Sequence, residues 1–349
     1  MAKRIAVIPG DGVGPEVTKV GVQCLEIITD LEFESFDWSC ARYEKTGTFL
    51  PADGLKTLAG FDAIYMGAVG WPTVPDHISL WGLLLPIRKR FELYANVRPV
   101  SLLPGVTSPL AGRLSDDIDM LFVRENTEGE YSGAGGFVHE GTSYELAVET
   151  PVFTRHAVER VARFAFDRAM ERRKHLTSVT KSNASRYAYV LWDKVVSEVA
   201  RDYPQVQVER VLVDAMAARM VTNPARVDVV VGSNLFGDIL TDLGAAIQGG
   251  MGVAASANLN PSGEWPSMFE PVHGSAPDIA GRSLANPIGA LLSATLMLRH
   301  LQLAQAADSL ANAVEETTAA GIKTRDIGGT ASTDEVGAAV MDRLRQRSR

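Results

Sequence analysis

Cysteine is scarce: the chain has two, Cys24 and Cys40, in 349 residues. They form no CxxC pair and share no metal-like spacing with histidine. That excludes a disulfide framework and reads as reduced core thiols, as expected of a cytoplasmic protein. Histidine is scarce too, with six residues and no cluster, which argues against an imidazole-built zinc site. No apolar stretch is long enough to span a bilayer. Met1-Ala2-Lys3-Arg4 runs directly into the apolar Ile5–Ile8, without the apolar core of a secretory signal. Net positive charge is also lacking. The formal net charge is -8, and such a surface repels phosphate backbones and anionic lipid, so neither nucleic acid nor membrane is expected as a partner. An anionic substrate would need a local group of arginines to overcome this field. Internal repeats, low-complexity tracts and free linkers are absent as well.

What is present is an ordinary globular composition, 46% hydrophobic and 22% charged, in a chain long enough for two cores. Apolar runs of strand length stand at Ile5–Ile8, Ala63–Met66, Met120–Val123 and Val227–Val231. Amphipathic periodicity predicts helices over Gly14–Ile28, Phe153–Arg172 and Arg186–Ala200. The alternation predicts an α/β protein with a mostly parallel sheet. The turn Gly10-Asp11-Gly12-Val13-Gly14-Pro15 follows a strand and opens a helix, as a dinucleotide fingerprint should, and Asp37 lies at a suitable distance downstream. Pro15, however, breaks the glycine spacing. A tight strand-to-helix turn with proline in the first helical turn is the better reading, so the fold is not expected to be Rossmann.

Four constellations can carry chemistry. Asp238 and Asp242 are four apart and share one helix face. They repel unless a cation sits between them, and oxygen-only ligands favour Mg²⁺ or Mn²⁺; a solvated acidic face is the plainer alternative. Asp214 is a third carboxylate after a strand-like run, Val208–Val213. Arg88, Arg98 and Arg124 form a second set. An arginine directly after a buried strand, as Arg124 is, can hold a carboxylate bidentately, though each alone could be a surface ion-pair partner. Lys181 ends the run Leu176–Thr180, before a helix expected to be capped by Ser182 or Asn183. It is a candidate proton carrier, or simply a surface lysine. The fourth is the loop Glu270–Gly281 with Asn286-Pro287, polar and rich in Gly and Pro.

Together these segments resemble the isocitrate/isopropylmalate dehydrogenase family along essentially the whole chain. The resemblance implies a two-domain α/β fold, with 1–98 and 252–349 as the large domain and 99–251 as a smaller central one. It implies a site in the cleft between them and a homodimer with shared active sites. Arg88, Arg98 and Arg124 then look like a carboxylate clamp, Tyr131 like a proton donor and Lys181 like a general base. Asp238 and Asp242 look like metal ligands of one subunit, with Asp214 and Lys181 supplied by the other. Val13, His273, Gly274, Ser275, Ala276, Asp278, Ile279 and Asn286 would bind NAD, with Mn²⁺ or Mg²⁺ as the metal and K⁺ as a candidate accessory ion.

The stretch Asp76–Arg88 sorts substrates in this family. Gly82 and Leu84 stand where isocitrate enzymes place Ser and Asn, and Trp81 where isopropylmalate enzymes usually carry Glu. The Ser79-Leu80-Trp81-Gly82 run looks like the D-malate/tartrate branch, with Pro86 replacing a common Lys and expected to kink the helix. D-malate or tartrate is the expected substrate, and 3-isopropylmalate or another 3-alkylmalate the alternative, with Trp81, Leu84 and Leu85 lining the pocket. A non-catalytic regulatory subunit is the reading from another class. It is disfavoured because the whole residue set is present.

Overall fold

The computed structural model describes residues 2–347. In chain order its strands are β1 (Arg4–Gly10), β2 (Glu32–Ser35), β3 (Ala63–Ala68), β4 (Ala95–Ser101), β5 (Asp119–Glu125), β6 (Gly129–Val138), β7 (Leu146–Val152), β8 (His175–Thr180), β9 (Gln207–Leu212), β10 (Val229–Gly232), β11 (Ala255–Leu259) and β12 (Ser267–Pro271). Two compact units emerge: Met1–Leu93, Arg98–Asp119 and Gly244–Arg349 form the first, and Tyr94–Val97 with Met120–Leu243 the second. Sequence reasoning set the boundaries at 98/99 and 251/252. The segments 99–119 and 244–251 belong instead to the first unit and Tyr94–Val97 to the second. Lys323 Nζ ties the first of these segments to the unit by donating to the Gly105 carbonyl at 2.5 Å, and two further bonds tie the segments 99–119 and 244–251 together. Ser101 N–H donates to Gln248 Oε1 at 2.9 Å, and Ser108 Oγ to the Ile247 carbonyl at 2.7 Å.

In the first unit the strands run β2-β1-β3-β12-β11. All pairs are parallel except β11 with β12. A cluster of Ile8, Ile64, Met66, Leu83, Ile87 and Phe91 fills the core on one side. The helix Gly14–Ile28 forms over the range the periodicity predicts, with Pro15 in its first turn. Its opening turn shows what the glycines are for. Gly12 has φ +60, and a Cβ there would lie 1.9 Å from the Ser275 carbonyl oxygen. The bare backbone lets Val13 N–H donate to that carbonyl at 2.8 Å. Thus the turn docks the 270–281 loop rather than serving as a dinucleotide fingerprint.

In the second unit the order is β5-β10-β8-β9, parallel throughout. Val123, Val161, Phe166, Trp192, Val195 and Val229 pack its core. The predicted helices here form as Arg155–Met170, capped by Thr154, and Ala188–Val199. Neither Ser182 nor Asn183 caps the latter. The N–H groups of Ala184 and Ser185 donate back to the Lys181 carbonyl, closing a turn that ends before the helix begins. β6 and β7 form a separate antiparallel hairpin.

Candidate active site

Parallel pairing puts the C-terminal ends of neighbouring strands side by side, which is where α/β proteins collect functional groups. In the second unit Arg124, on β5, pairs with Gly232 at the end of β10. The helix Asn234–Ile247 starts just beyond. A Cβ on Gly237 would fall 2.6 Å from Arg124 Cβ, so glycine is what lets the arginine lie along this helix. Arg124 is buried, and its Nε and Nη2 donate to Asn234 Oδ1 at 3.0 and 2.7 Å. Its Nη1 forms an ion pair with Asp238. Tyr131 Oη donates to the other Asp238 oxygen at 3.2 Å, and the Arg124 guanidinium lies 5.6 Å from the Tyr131 ring centre. Burial, and then the Asp238 charge, raise the Tyr131 pKa above its ordinary value. Its hydroxyl therefore stays protonated.

At the other edge of this unit, β8 and β9 pair Thr180 with Leu212. Lys181 and Asp214 follow those ends, and Lys181 Nζ donates to Asp214 Oδ1 at 2.6 Å. The lysine hydrogen bond is the main reason the Asp214 pKa lies below the usual carboxylate range. Asp238 and Asp242 lie one turn apart on the helix Asn234–Ile247. Among the described residues of one chain, no three His, Cys, Asp or Glu side chains gather as a metal cluster.

The first unit carries Arg88 and Arg98, both buried. Together with Leu84, Ser256, Glu270 and His273 they line a pocket of about 140 Å³. Arg88 Nη2 donates to Glu270 Oε1 at 2.9 Å, while its buried Nε has no partner. Arg88 ends a broken helix: an α turn Asp76–Ser79, a π turn Leu80–Leu84, then α again over Leu85–Arg90. Pro86 sits in the first turn of that last segment, and Leu85 N–H donates to the Leu80 carbonyl. A proline ring clashes with the carbonyl four residues back and has no N–H to give. The wider π turn is where that conflict is absorbed. Gly82 does not face this pocket, because its Cβ would fall 2.2 Å from the Phe49 ring. Nor are Trp81 and Leu85 among its lining residues. Trp81 is 41% exposed with Lys89 Nζ over its ring, and Leu85 is buried.

A second pocket of the first unit, about 410 Å³, is lined by Val13, His273, Gly274, Ala276, Ile279 and Asn286. Ser275 and Asp278 are not in that lining; Ser275 instead gives its carbonyl to Val13. Burial lowers the His273 pKa, so the ring is neutral. Its Nδ1 lies 2.9 Å from the Gly274 carbonyl and must carry the proton, leaving a bare Nε2 with no partner.

Sequence reasoning missed three acids. Glu270 begins the loop already singled out, but its partner Arg88 is 182 positions away. Asp326 lines the larger pocket and accepts from Asn286 Nδ2 at 3.0 Å; only its Gly328-Gly329 neighbours hinted at a tight loop. Glu130 stands beside Tyr131 and gave no signal of its own.

The isocitrate/isopropylmalate dehydrogenase family matches residues 4–340. The chain belongs to this family. As a family member it is 50% identical to the D-malate dehydrogenase [decarboxylating] of Escherichia coli (strain K12), over 97% of either chain. It is also 50% identical to the tartrate dehydrogenase/decarboxylase of Pseudomonas putida, over 98% of this chain and 97% of that one. Among solved structures, isocitrate dehydrogenase from Methylococcus capsulatus superposes with a TM-score of 0.90 at 34% identity, covering 99% of this chain and 100% of the other.

Proposed function

We propose that this family member is an NAD-dependent decarboxylating dehydrogenase that converts D-malate to pyruvate and CO₂, with tartrate as a second substrate. The observation that carries the reading is the Arg88–Arg98 pocket. It holds two buried guanidinium groups, one with an unpartnered Nε, and no further cation in its lining. A third carboxylate, as in isocitrate, would meet Leu84 and the Glu270 charge there. The names of the relatives point the same way.

The larger pocket fits a nicotinamide cofactor: Nε2 of His273 is a buried acceptor in need of a donor, as ribose and amide groups provide. Asp238 and Asp242 supply the oxygen-only donors that Mn²⁺ or Mg²⁺ prefers. We assign Asp214, with Lys181, to the site of the partner subunit in a homodimer. When bound, NAD⁺ would supply the hydride acceptor, and a divalent metal the positive charge that eases loss of the hydroxyl proton. Arg88, Arg98 and Arg124 hold the two carboxylates. Lys181 takes the C2 hydroxyl proton as the hydride leaves. The bond to the β-carboxylate then breaks, CO₂ departs, and the electron pair passes to C3 and the new carbonyl. Tyr131 Oη delivers a proton to C3. A panel of D-malate, tartrate, 3-isopropylmalate and isocitrate, with Mn²⁺, K⁺ and NAD⁺, tests this through NADH absorbance and a pyruvate assay. D-malate or tartrate should lead in kcat/KM, and excess EDTA should abolish turnover. Isocitrate in first place would overturn the substrate assignment; 3-isopropylmalate in first place would move the enzyme to that branch.

A further inference from the structure

Glu130 is used by none of the steps above, yet its carboxylate sits where two parts of the machinery join. One oxygen accepts from Tyr189 Oη at 2.6 Å and Ser233 Oγ at 3.3 Å. The other accepts the Leu235 N–H at 3.1 Å. That N–H is one of the unpaired donors in the first turn of the helix Asn234–Ile247, which carries Asp238 and Asp242. Ser233 Oγ accepts from Phe236 N–H of the same turn at 3.5 Å and lies 2.6 Å from Tyr189 Oη. The Tyr189 ring is stacked on Phe236 at 4.7 Å, on the same turn. One residue before Glu130 on this strand, Gly129 has φ +75, and the Glu128 carbonyl accepts from Asn234 Nδ2 at 3.0 Å. One residue after it is Tyr131.

We propose that Glu130 is a positioning residue for proton delivery. It locks the strand that bears Tyr131 to the N-terminus of the carboxylate helix, and so fixes Tyr131 Oη against Asp238. The proposal rests on the reading of Tyr131 as proton donor. Its physical content is geometric rather than charge-based. A glutamine would keep the lock, because its oxygen can accept from Leu235 N–H while its NH₂ donates to the Tyr189 and Ser233 hydroxyls. Alanine would remove every bond.

The test compares Glu130→Ala and Glu130→Gln in the full-length enzyme with Mn²⁺. Misplacement of a reacting group by about 1 Å can cost up to about a hundredfold. The Ala variant should therefore lose between about tenfold and a hundredfold in kcat for D-malate. Its KM for NAD⁺ should stay within about twofold, since the residues assigned to NAD⁺ do not include Glu130. The Gln variant should recover to within about threefold of the unsubstituted enzyme, as preserved hydrogen bonds require. Unchanged kcat in Glu130→Ala overturns the proposal. Equal losses in both variants overturn it too, because charge would then be the operative feature. A parallel loss of kcat, NAD⁺ binding and Tm would show a general structural role and also overturn it. If the unsubstituted enzyme fails to oxidise D-malate or tartrate, the functional reading has failed. Crystal structures of the variants then decide the lock alone. Tyr131 Oη should leave Asp238 in the Ala variant and remain there in the Gln variant; an unmoved Tyr131 in the Ala variant overturns the proposal.

Discussion

Two single residues carry sharp consequences. His273 is half-buried and neutral, with its pKa lowered chiefly by burial from the ordinary histidine value of 6.5. The unfolded chain binds a proton at this ring as pH falls through that value, and the folded one resists. Its contribution to stability is therefore present above the unfolded pKa and lost as pH drops below it. The apo-enzyme Tm should fall between pH 7.5 and 5.5, and more shallowly in His273→Asn; identical slopes would show that His273 does not couple to folding. The second residue is Asp326, which lines the pocket we assign to NAD⁺. Asp326 is the acidic side chain of that lining, and with Asp278, which the sequence assigns to the cofactor, it should disfavour a 2′-phosphate. We expect kcat/KM for NAD⁺ to exceed that for NADP⁺ by on the order of a hundredfold. Equal efficiencies would refute the assignment of these acids to the adenosine end.

At the scale of the element, the broken helix Asp76–Arg90 decides which side chain lines the pocket we assign to the substrate. Within the first unit, Leu84 lines the arginine pocket and Trp81 does not. Shortening Leu84 should admit a 3-alkyl group. Leu84→Ala is expected to raise the 3-isopropylmalate to D-malate ratio of kcat/KM by roughly tenfold or more, since each methylene of fit is worth about 1–3 kcal/mol. Trp81→Ala should shift that ratio less than Leu84→Ala does. The reverse ranking in the substrate panel would return Trp81 to the role the sequence suggested.

For the whole molecule, the hairpin β6–β7 exposes apolar side chains, with Phe137 at 65% and Tyr144 at 80%. In the homodimer we propose, these side chains are candidates for burial against the partner. If Lys181 and Asp214 serve the partner's site, complementation should follow. Lys181→Met and Asp238→Asn chains, each inactive alone, should regain activity after mixing and reassembly, because one of the two sites in a heterodimer then has both residues. No recovery in verified heterodimers would mean that each site is built from one chain.

The sequence alone determined the α/β class and the family. Strand-length apolar runs and helical periodicity are local signals, and long motifs such as Asn234–Asp242 survive without knowledge of the fold. It also located the two aspartates on one helix face, because a spacing of four is local geometry. Its boundaries and contacts fared differently. The strap 99–119 joined the first unit through bonds to residues more than a hundred positions away. Gly82 turned toward Phe49, Leu85 into the core and Trp81 stayed out of the arginine pocket's lining, because the π turn Leu80–Leu84 ahead of Pro86 shifts the phase of that stretch of helix. Arg88 met Glu270 across 182 positions, and Glu130 met Leu235 across 105. The nearest neighbours of a charged side chain are set by strand order and parallel register, which no window of sequence encodes. Tertiary structure alone decided those pairings, and with them how each arginine and the Tyr131 proton are held.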